Sequence, residues 1–330
     1  MKIYLPGAGA RMIPPLKATH GVSEVIVSID DPCAAGAFLA DRAYLLPRFD
    51  GPGFAEGVMS IYGRERFDAC LPVLDSALLF FARNRDRFRD QPFRIAMGDP
   101  GVVEMACDKL RLLRFLEGCG LRVPATQTFE EYLGAPARAL PSFLKPRYPD
   151  DRDFGRAVYT RLEDAADVSH WATKLADRLG RYVVQPFLEG DEHNIDFFCD
   201  ASGEIRSVVA LRRIRGVPGA ALSRGEIADA ERFVRHVRAV AGAVQLWGAN
   251  QLQAIVSPEG VIQFTELNVR LTGSCPLVRA AGMDFFAGTV RLLRGEPVSF
   301  PERPRPLRMT QWDHAHYFEE SPALPLRRDA

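Results

Sequence analysis

Lysine is scarce in this chain. Of 42 basic residues, only Lys2, Lys17, Lys109, Lys145 and Lys174 are Lys, and the other 37 are Arg. No run of 18 apolar residues occurs, which excludes an ordinary membrane-spanning helix. The formal net charge is +0, which argues against a protein whose main work is neutralising nucleic-acid phosphates. The six cysteines form no C-x-x-C pair, and no Cys/His set has zinc spacing, so they are expected to be reduced thiols in a cytoplasmic protein. Met1 to Gly7 lacks the long apolar stretch and small-residue site of a secretory signal, and none is expected.

What is present is globular. The chain has 330 residues, 47% of them apolar and 25% charged, enough for two domains or for one domain with a subdomain. The lysine shortage carries information. Where a plain positive charge suffices, this chain uses Arg. An interior Lys therefore either survives by chance or meets a need for a compact point charge, such as a phosphate oxygen in a tight site. Lys109 and Lys145 are the interior pair of interest.

Short apolar runs at 2–5, 25–29, 43–46, 69–73 and 94–96 alternate with helical stretches, which predicts a small parallel α/β layer over residues 1 to about 100. Gly7 and Gly9 follow the first run, but Met12 stands where a dinucleotide fingerprint needs its third Gly, so the pair reads as a structural turn. Asp108 is placed to cap a helix carrying Leu110, Leu113 and Leu116, which Gly118 and Gly120 stop. Strands are expected at 142–146, 157–160, 182–188, 195–199 and 205–211. Helices are expected at 163–179, 226–241 and 283–294, and the tail from 300 is expected to be irregular.

A hairpin pairing 251–256 with 261–268 turns at Ser257-Pro258-Glu259-Gly260, which suits such a turn. This turn sets Gln253 almost opposite Glu266. Asn268, two residues on, shares the face of Glu266. One carboxylate and two amides on one surface are hard oxygen donors of the kind Mg²⁺ takes alongside water and phosphate, with Arg270 adding a cation on that side. A solvated polar strand face is the other reading of the same spacing.

Taken in order, Asp108-Lys109, Phe143-Leu144-Lys145-Pro146, Val184 through Glu192, and Gln253 with Glu266-Leu267-Asn268-Val269-Arg270 resemble an ATP-grasp enzyme. The stretch after 185 is most similar to the large subunit of carbamoyl phosphate synthetase and its single-module relatives. The resemblance implies an α/β plus α+β architecture, an ATP-grasp fold preceded by a Rossmann-like pre-ATP-grasp domain. Its expected division is 1–105 for the pre-ATP-grasp domain and 106–300 for the ATP-grasp module. Within the module, 122–188 clamps ATP and 189–300 binds metal and substrate, and 301–330 is an irregular tail. By the same resemblance Lys109 and Lys145 hold phosphates, Gln185 to Leu188 form the hinge that pairs with adenine, and Glu192 takes the ribose hydroxyls. Gln253, Glu266 and Asn268 ligate Mg²⁺ (or Mn²⁺), and Arg270 stabilises the transferring phosphoryl group. Arg213, in the run Arg212, Arg213 and Arg215, is a candidate for the acyl phosphate or acceptor carboxylate, a basic surface patch being its other reading. Ser274 is a candidate substrate contact, whereas Cys275 reads as packing. His314 and His316 read as solvated.

The implied activity is an ATP- and Mg²⁺-dependent ligase that activates a carboxylate as an acyl phosphate for attack by an amine. A carbamate- or bicarbonate-phosphorylating enzyme and a non-catalytic ATP sensor are the alternatives. The implied partners are small carboxylate and amine substrates, with no nucleic acid and no membrane, and a homodimer is allowed. Three features depart from the family pattern. The phosphate lid Arg147–Gly155 has a single Gly and carries Asp150, Asp151 and Asp153, with Arg152 as its candidate phosphate contact. Pro186 removes a donor from the hinge, and Val269 replaces a usual Pro.

Overall fold

The computed structural model describes residues 1–7, 9–149, 158–214, 223–311 and 315–325. Asp150, Asp151, Arg152, Asp153, Arg215 and His314 lie outside these. The first sheet is parallel: β1 (Lys2–Pro6), β2 (Glu24–Ile29), β3 (Arg42–Leu45), β4 (Ala69–Cys70) and β5 (Arg94–Ile95) lie in the order β3-β2-β1-β4-β5. The strands β1 and β2 are buried almost throughout, as expected of a sheet covered on both faces. Strand order reverses between β1 and β4, where α/β sheets hold ligands at their carboxyl edge. The helix Asp75–Arg83 begins just past β4, so Asp75 lies at that edge. Gly7 is a turn glycine: its φ is +77°, and a Cβ there would meet Phe49 and Leu74 at 2.8 Å.

The second sheet is antiparallel, in the order β6-β9-β7-β8, from β6 (Gln127–Thr128), β7 (Ser142–Pro146), β8 (Thr160–Leu162) and β9 (Tyr182–Pro186). The third sheet is also antiparallel. It holds β10 (Asp191–Cys199), β11 (Ile205–Arg213), β12 (Arg224–Ala228), β13 (Gly248–Val256) and β14 (Ile262–Asn268) in the order β14-β13-β10-β11-β12. The tail expected to be irregular adds β15 (Arg308–Thr310) beside β12 and β16 (Leu324–Pro325) beside β3. Without them, both strands would be open sheet edges with unpaired backbone groups, which an extended segment can satisfy.

The helix expected at 226–241 also differs. Residues 224–228 are β12, and the helix runs Glu231–Ala243, because pairing with β11 and β15 overrides local periodicity. The helix expected at 163–179 is Ala165–Lys174. A short helix, Cys275–Ala280, went unforeseen.

The third sheet has two unlike faces. Ile195, Phe197, Leu252, Ala254, Phe264 and Leu267 pack beneath Leu112, Leu113 and Leu116 of the helix Lys109–Gly118 and Phe233, Val237 and Val240 of Glu231–Ala243. On the other face, Phe198, Val209 and Leu211 join a core that includes Ile3, Val25 and Val27 of the first sheet and Phe285, Phe286 and Val290 of Phe285–Arg294. The rest of that face is polar and carries the candidate site.

The chain passes from the second sheet to the third through residues 187–190. Gly190 has φ +145°, and a Cβ there would lie 2.2 Å from the Val256 carbonyl oxygen, so only Gly fits this crossing. Gly190→Ala should destabilise the protein by on the order of 1–3 kcal/mol. Gly63→Ala, in open space on a helix, should be neutral or stabilising by up to about 1 kcal/mol. Chemical denaturation of both variants tests this contrast, and equal midpoints would contradict it.

Candidate active site

The hairpin register is the one read from the sequence. Gln253 pairs with Glu266 and Gln251 with Asn268, while Asn194 and Asp196 of β10 pair with Gln253 and Gln251 across the next ladder. Residues two apart on a strand share a face. Glu192, Asn194, Asp196, Gln251, Gln253, Glu266 and Asn268 therefore form one polar surface spanning three strands.

Two lysines reach that surface from different elements. Lys109 opens the helix Lys109–Gly118, and Lys145 sits in β7 of the second sheet. They are only 7% and 5% exposed. Their Nζ atoms stand 3.7 and 3.8 Å from the same oxygen, Oε1 of Glu266. Asp108 links the two supports. It caps the helix by accepting from the N–H groups of Leu110 and Arg111, and it receives two bonds from Arg147, at 2.8 and 2.7 Å. Arg147 directly follows β7, and its carbonyl oxygen accepts from the Lys109 N–H. Lys2, Lys17 and Lys174, by contrast, lie at the surface beside Glu24, Asp41 and Trp171.

Arg270 is tied to the first layer. Its Nε and Nη2 each donate to Asp75 at 2.6 Å, and Nη2 also lies 3.4 Å from Asn268 Oδ1. A small hollow of about 20 Å³ is lined by Asp75, Cys107, Lys109, Glu266 and Asn268, among others, room for one water or ion. At the buried end of the polar surface, Asp196 accepts from Ser274, Thr272 and Gln251. Burial pushes its carboxyl up to about 6, against the pull of those donors.

A family model described as "ATP-grasp in the biosynthetic pathway with Ter operon" matches residues 178–315, and one described as "PylC-like, N-terminal domain" matches 8–96. No curated protein matches the chain. Among solved structures, N5-carboxyaminoimidazole synthetase from Staphylococcus aureus complexed with ADP is 12% identical. It covers 91% of this chain and 79% of its own, with a TM-score of 0.71. L-amino acid ligase from Bacillus licheniformis is 16% identical, with coverages of 90% and 75% and a TM-score of 0.69. The biotin carboxylase domain of Hydrogenobacter thermophilus 2-oxoglutarate carboxylase, solved with MgADP, ADP and bicarbonate, is 14% identical, with coverages of 92% and 71% and a TM-score of 0.68. The chain has the ATP-grasp fold, and its residues 178–315 match a model from the ATP-grasp superfamily. Carbamoyl phosphate synthetase is a looser relation within it.

The remaining site residues spread along the same surface. Glu192 is held by Arg213, whose Nη1 donates to both carboxylate oxygens at 3.1 and 2.9 Å. Strands β13 and β10 separate β11 from β14, a lateral step of roughly 14 Å at about 4.8 Å per strand. Arg213 therefore stands with Glu192 rather than beside Glu266. Gln185 is buried, and its Nε2 donates to Thr126 at 2.8 Å. Leu188 lies in the crossing to the third sheet, half-buried. Ser274 is 1% exposed, and its hydroxyl is engaged by Asp196, Thr272 and Gln251, so it stands behind the surface instead of contacting substrate from it. Cys275 packs as expected: burial pushes its thiol up to about 12. His316 stacks on Phe38.

Sequence reasoning missed Asp75, Asp196 and Gln251. The alternation that selected Gln253 also selects Gln251, two residues before it. Asp75 had no local signal, since its partner is 195 positions away.

Burial acts to raise the Asp108 carboxyl, but Arg147 and the helix N–H groups outweigh it and hold the group below the usual carboxylate range. A lowered carboxyl contributes stability that is fully present above its unfolded value and is lost as pH falls through its folded value. Asp108→Asn keeps the cap and removes the charge, so it should cost roughly 1–3 kcal/mol at neutral pH. In a pH series of denaturation midpoints, its gap from the wild type should close on the acid side. A gap that stays constant into strong acid would refute this.

Proposed function

We propose that this chain is an ATP- and Mg²⁺-dependent ligase that phosphorylates a carboxylate and passes the acyl group to an amine. The observation that carries the reading is the meeting of Lys109 and Lys145 at Glu266. Two buried ammonium groups converging on one carboxylate oxygen from separate elements suit a polyphosphate, whose oxygens a compact point charge can meet. The first layer, 1–105, would frame the acceptor side. Residues 122–188 would clamp the nucleotide over 189–300, with Gln185 to Leu188 along the adenine and Glu192 near the ribose.

The donor set fits a hard cation. Glu266 supplies a carboxylate, and Gln253 and Asn268 turn their nitrogens toward Gln251, so their oxygens face away from it. Among the described residues no group of three or more His, Cys, Asp and Glu could hold a metal, so phosphates and water would complete the shell. When bound, Mg²⁺ (with Mn²⁺ as a substitute) neutralises phosphate oxygens and polarises the phosphoryl group. Lys109 and Lys145 hold the phosphates. Arg270, aimed by Asp75, places positive charge beside them. A carboxylate oxygen attacks the γ-phosphorus and ADP leaves. The amine then attacks the acyl carbon, inorganic phosphate departs and the amine loses a proton. Most of this work is positioning and charge neutralisation.

Both an L-amino acid ligase and carboxylases share this fold, so bicarbonate is the second acceptor to test. Small carboxylates and amines are the proposed partners, in a homodimer. Among the described residues no helix is long and apolar enough to cross a membrane.

Glu266→Ala should abolish Mg²⁺-dependent ADP release, measured across a panel of acids, amines and bicarbonate, and retained release would refute the metal role. Lys145→Ala should weaken ATP binding by about 10–100-fold, the worth of a charged hydrogen bond, as read by calorimetry. Lys145→Arg should not restore it, because the slot takes a point charge and not a planar fork. Unchanged nucleotide affinity in Lys145→Ala would sink the phosphate role.

A further inference from the structure

We propose that Asp196 is a positioning residue that fixes which way the amides of Gln253 and Asn268 point, and so makes them oxygen donors. The inference rests on the ATP·Mg²⁺ reading above. Asp196 is 1% exposed and stands at the buried end of the polar surface. Its Oδ1 receives Gln251 Nε2 at 3.1 Å, Thr272 Oγ1 at 3.0 Å and Ser274 Oγ at 2.8 Å, and its Oδ2 receives Ser274 Oγ at 2.8 Å.

An ionised carboxylate only accepts hydrogen bonds. Gln251 must therefore turn its NH₂ group toward Asp196, where it also meets the hydroxyls of Thr272 and Ser274 at 2.9 and 2.7 Å. Its oxygen then faces outward and accepts from Gln253 Nε2 at 3.1 Å and Asn268 Nδ2 at 3.3 Å. Each of these amides must in turn present its nitrogen inward, which frees its oxygen for the other side. Asn268 Oδ1 accordingly lies 3.4 Å from Arg270 Nη2.

Packing cannot make this choice. An amide fills nearly the same volume in either orientation, and only hydrogen bonding distinguishes its oxygen from its nitrogen. A protonated amide nitrogen cannot ligate a cation, whereas the oxygen can. One acceptor-only group at the inner end therefore sets the sense of the whole chain, and Asp196 does so without reaching the cleft. A hydroxyl or an amide at position 196 could both donate and accept, and would leave Gln251 able to reverse.

The test is calorimetry with a non-hydrolysable ATP analogue, with and without Mg²⁺, alongside thermal unfolding of each protein. Asp196→Asn should lower the Mg²⁺-dependent part of the affinity by about 10–100-fold, as loss of a ligand-orienting partner does, and leave the metal-free affinity unchanged. The double variant Asp196→Asn/Gln251→Glu moves the acceptor-only group one link outward. The carboxylate introduced at position 251 would accept from the amide introduced at position 196 and from Gln253 and Asn268. Those two native amides then keep their sense, and the Mg²⁺ dependence should return. A purely structural role for the Asp196 carboxylate predicts no such rescue.

Wild-type Mg²⁺ dependence in Asp196→Asn, or a folded double variant no better than the single one, overturns the inference and leaves the ATP reading standing. If only the double variant folds, its Mg²⁺ dependence decides alone: wild-type dependence supports the inference and lost dependence overturns it. If neither folds, a wild-type crystal soaked with the analogue and Mn²⁺ decides. Metal bonded to the Gln253 and Asn268 oxygens supports the inference, and metal touching neither overturns it. A wild type that fails to bind the analogue with Mg²⁺ overturns the ATP reading and this inference with it.

Discussion

Removing an ammonium group from water costs several kcal/mol unless an opposite charge meets it. Lys109 and Lys145 are both nearly buried, and both meet such a charge at Glu266. A helix start, a strand of the second sheet and a strand of the third sheet are thus pinned at one carboxylate. The pinning is reinforced one layer back, where Asp108 caps the helix of Lys109 and grips Arg147 beside the strand of Lys145. The same charges suit the proposed chemistry. A carboxylate that neutralises two lysines can pass to a divalent cation when phosphates arrive to neutralise the lysines instead.

The third sheet explains why this junction is specific. One of its faces is mostly apolar and lies under helices, with His193, Arg212 and Asn250 as polar members. The other is apolar where Phe198, Val209 and Leu211 meet the first layer and polar where it borders the cleft. Every polar side chain on that surface needs a partner or water, and the arrangement provides many in the protein itself: Arg213 for Glu192, the Gln251 oxygen for two amides, and Asp75 for Arg270. The pair Arg270–Asp75 has a further consequence. It makes the first layer a structural contributor to the cleft, since an arginine two residues past β14 is aimed by a carboxylate that lies almost two hundred residues earlier.

Parts of this arrangement are legible in the sequence. The period of a strand is two, and a hairpin turn fixes its register, so Gln253, Glu266 and Asn268 can be placed on one surface from spacing alone. Composition narrows attention to five lysines, each kept by chance or by need, and the structure puts three of them at the surface and buries Lys109 and Lys145. Other readings fail for identifiable causes. The segment 224–228 looks helical by its local pattern but pairs as a strand at a sheet edge. Ser274 follows β14 closely in sequence, but nearness along the chain is not a place in the cleft, and its hydroxyl turns inward to Asp196. Arg213, read as a candidate for the acyl phosphate or acceptor carboxylate or as a basic surface patch, stands beside Glu192, with two strands between β11 and β14.

The amino-acid sequence by itself determined the local items: which runs alternate, where Asp108 caps a helix, which residues share a strand face, and the order of motifs that marks the superfamily. These depend on neighbours within a few positions, where chain geometry leaves little choice. Only the tertiary structure decided which charges meet. Whether Asp75 reaches Arg270, whether two lysines from separate elements share one oxygen, and which way a buried amide points all depend on sheets brought together by hydrophobic burial, which does not read charge or direction. The polar partners then settle within the distances that packing allows.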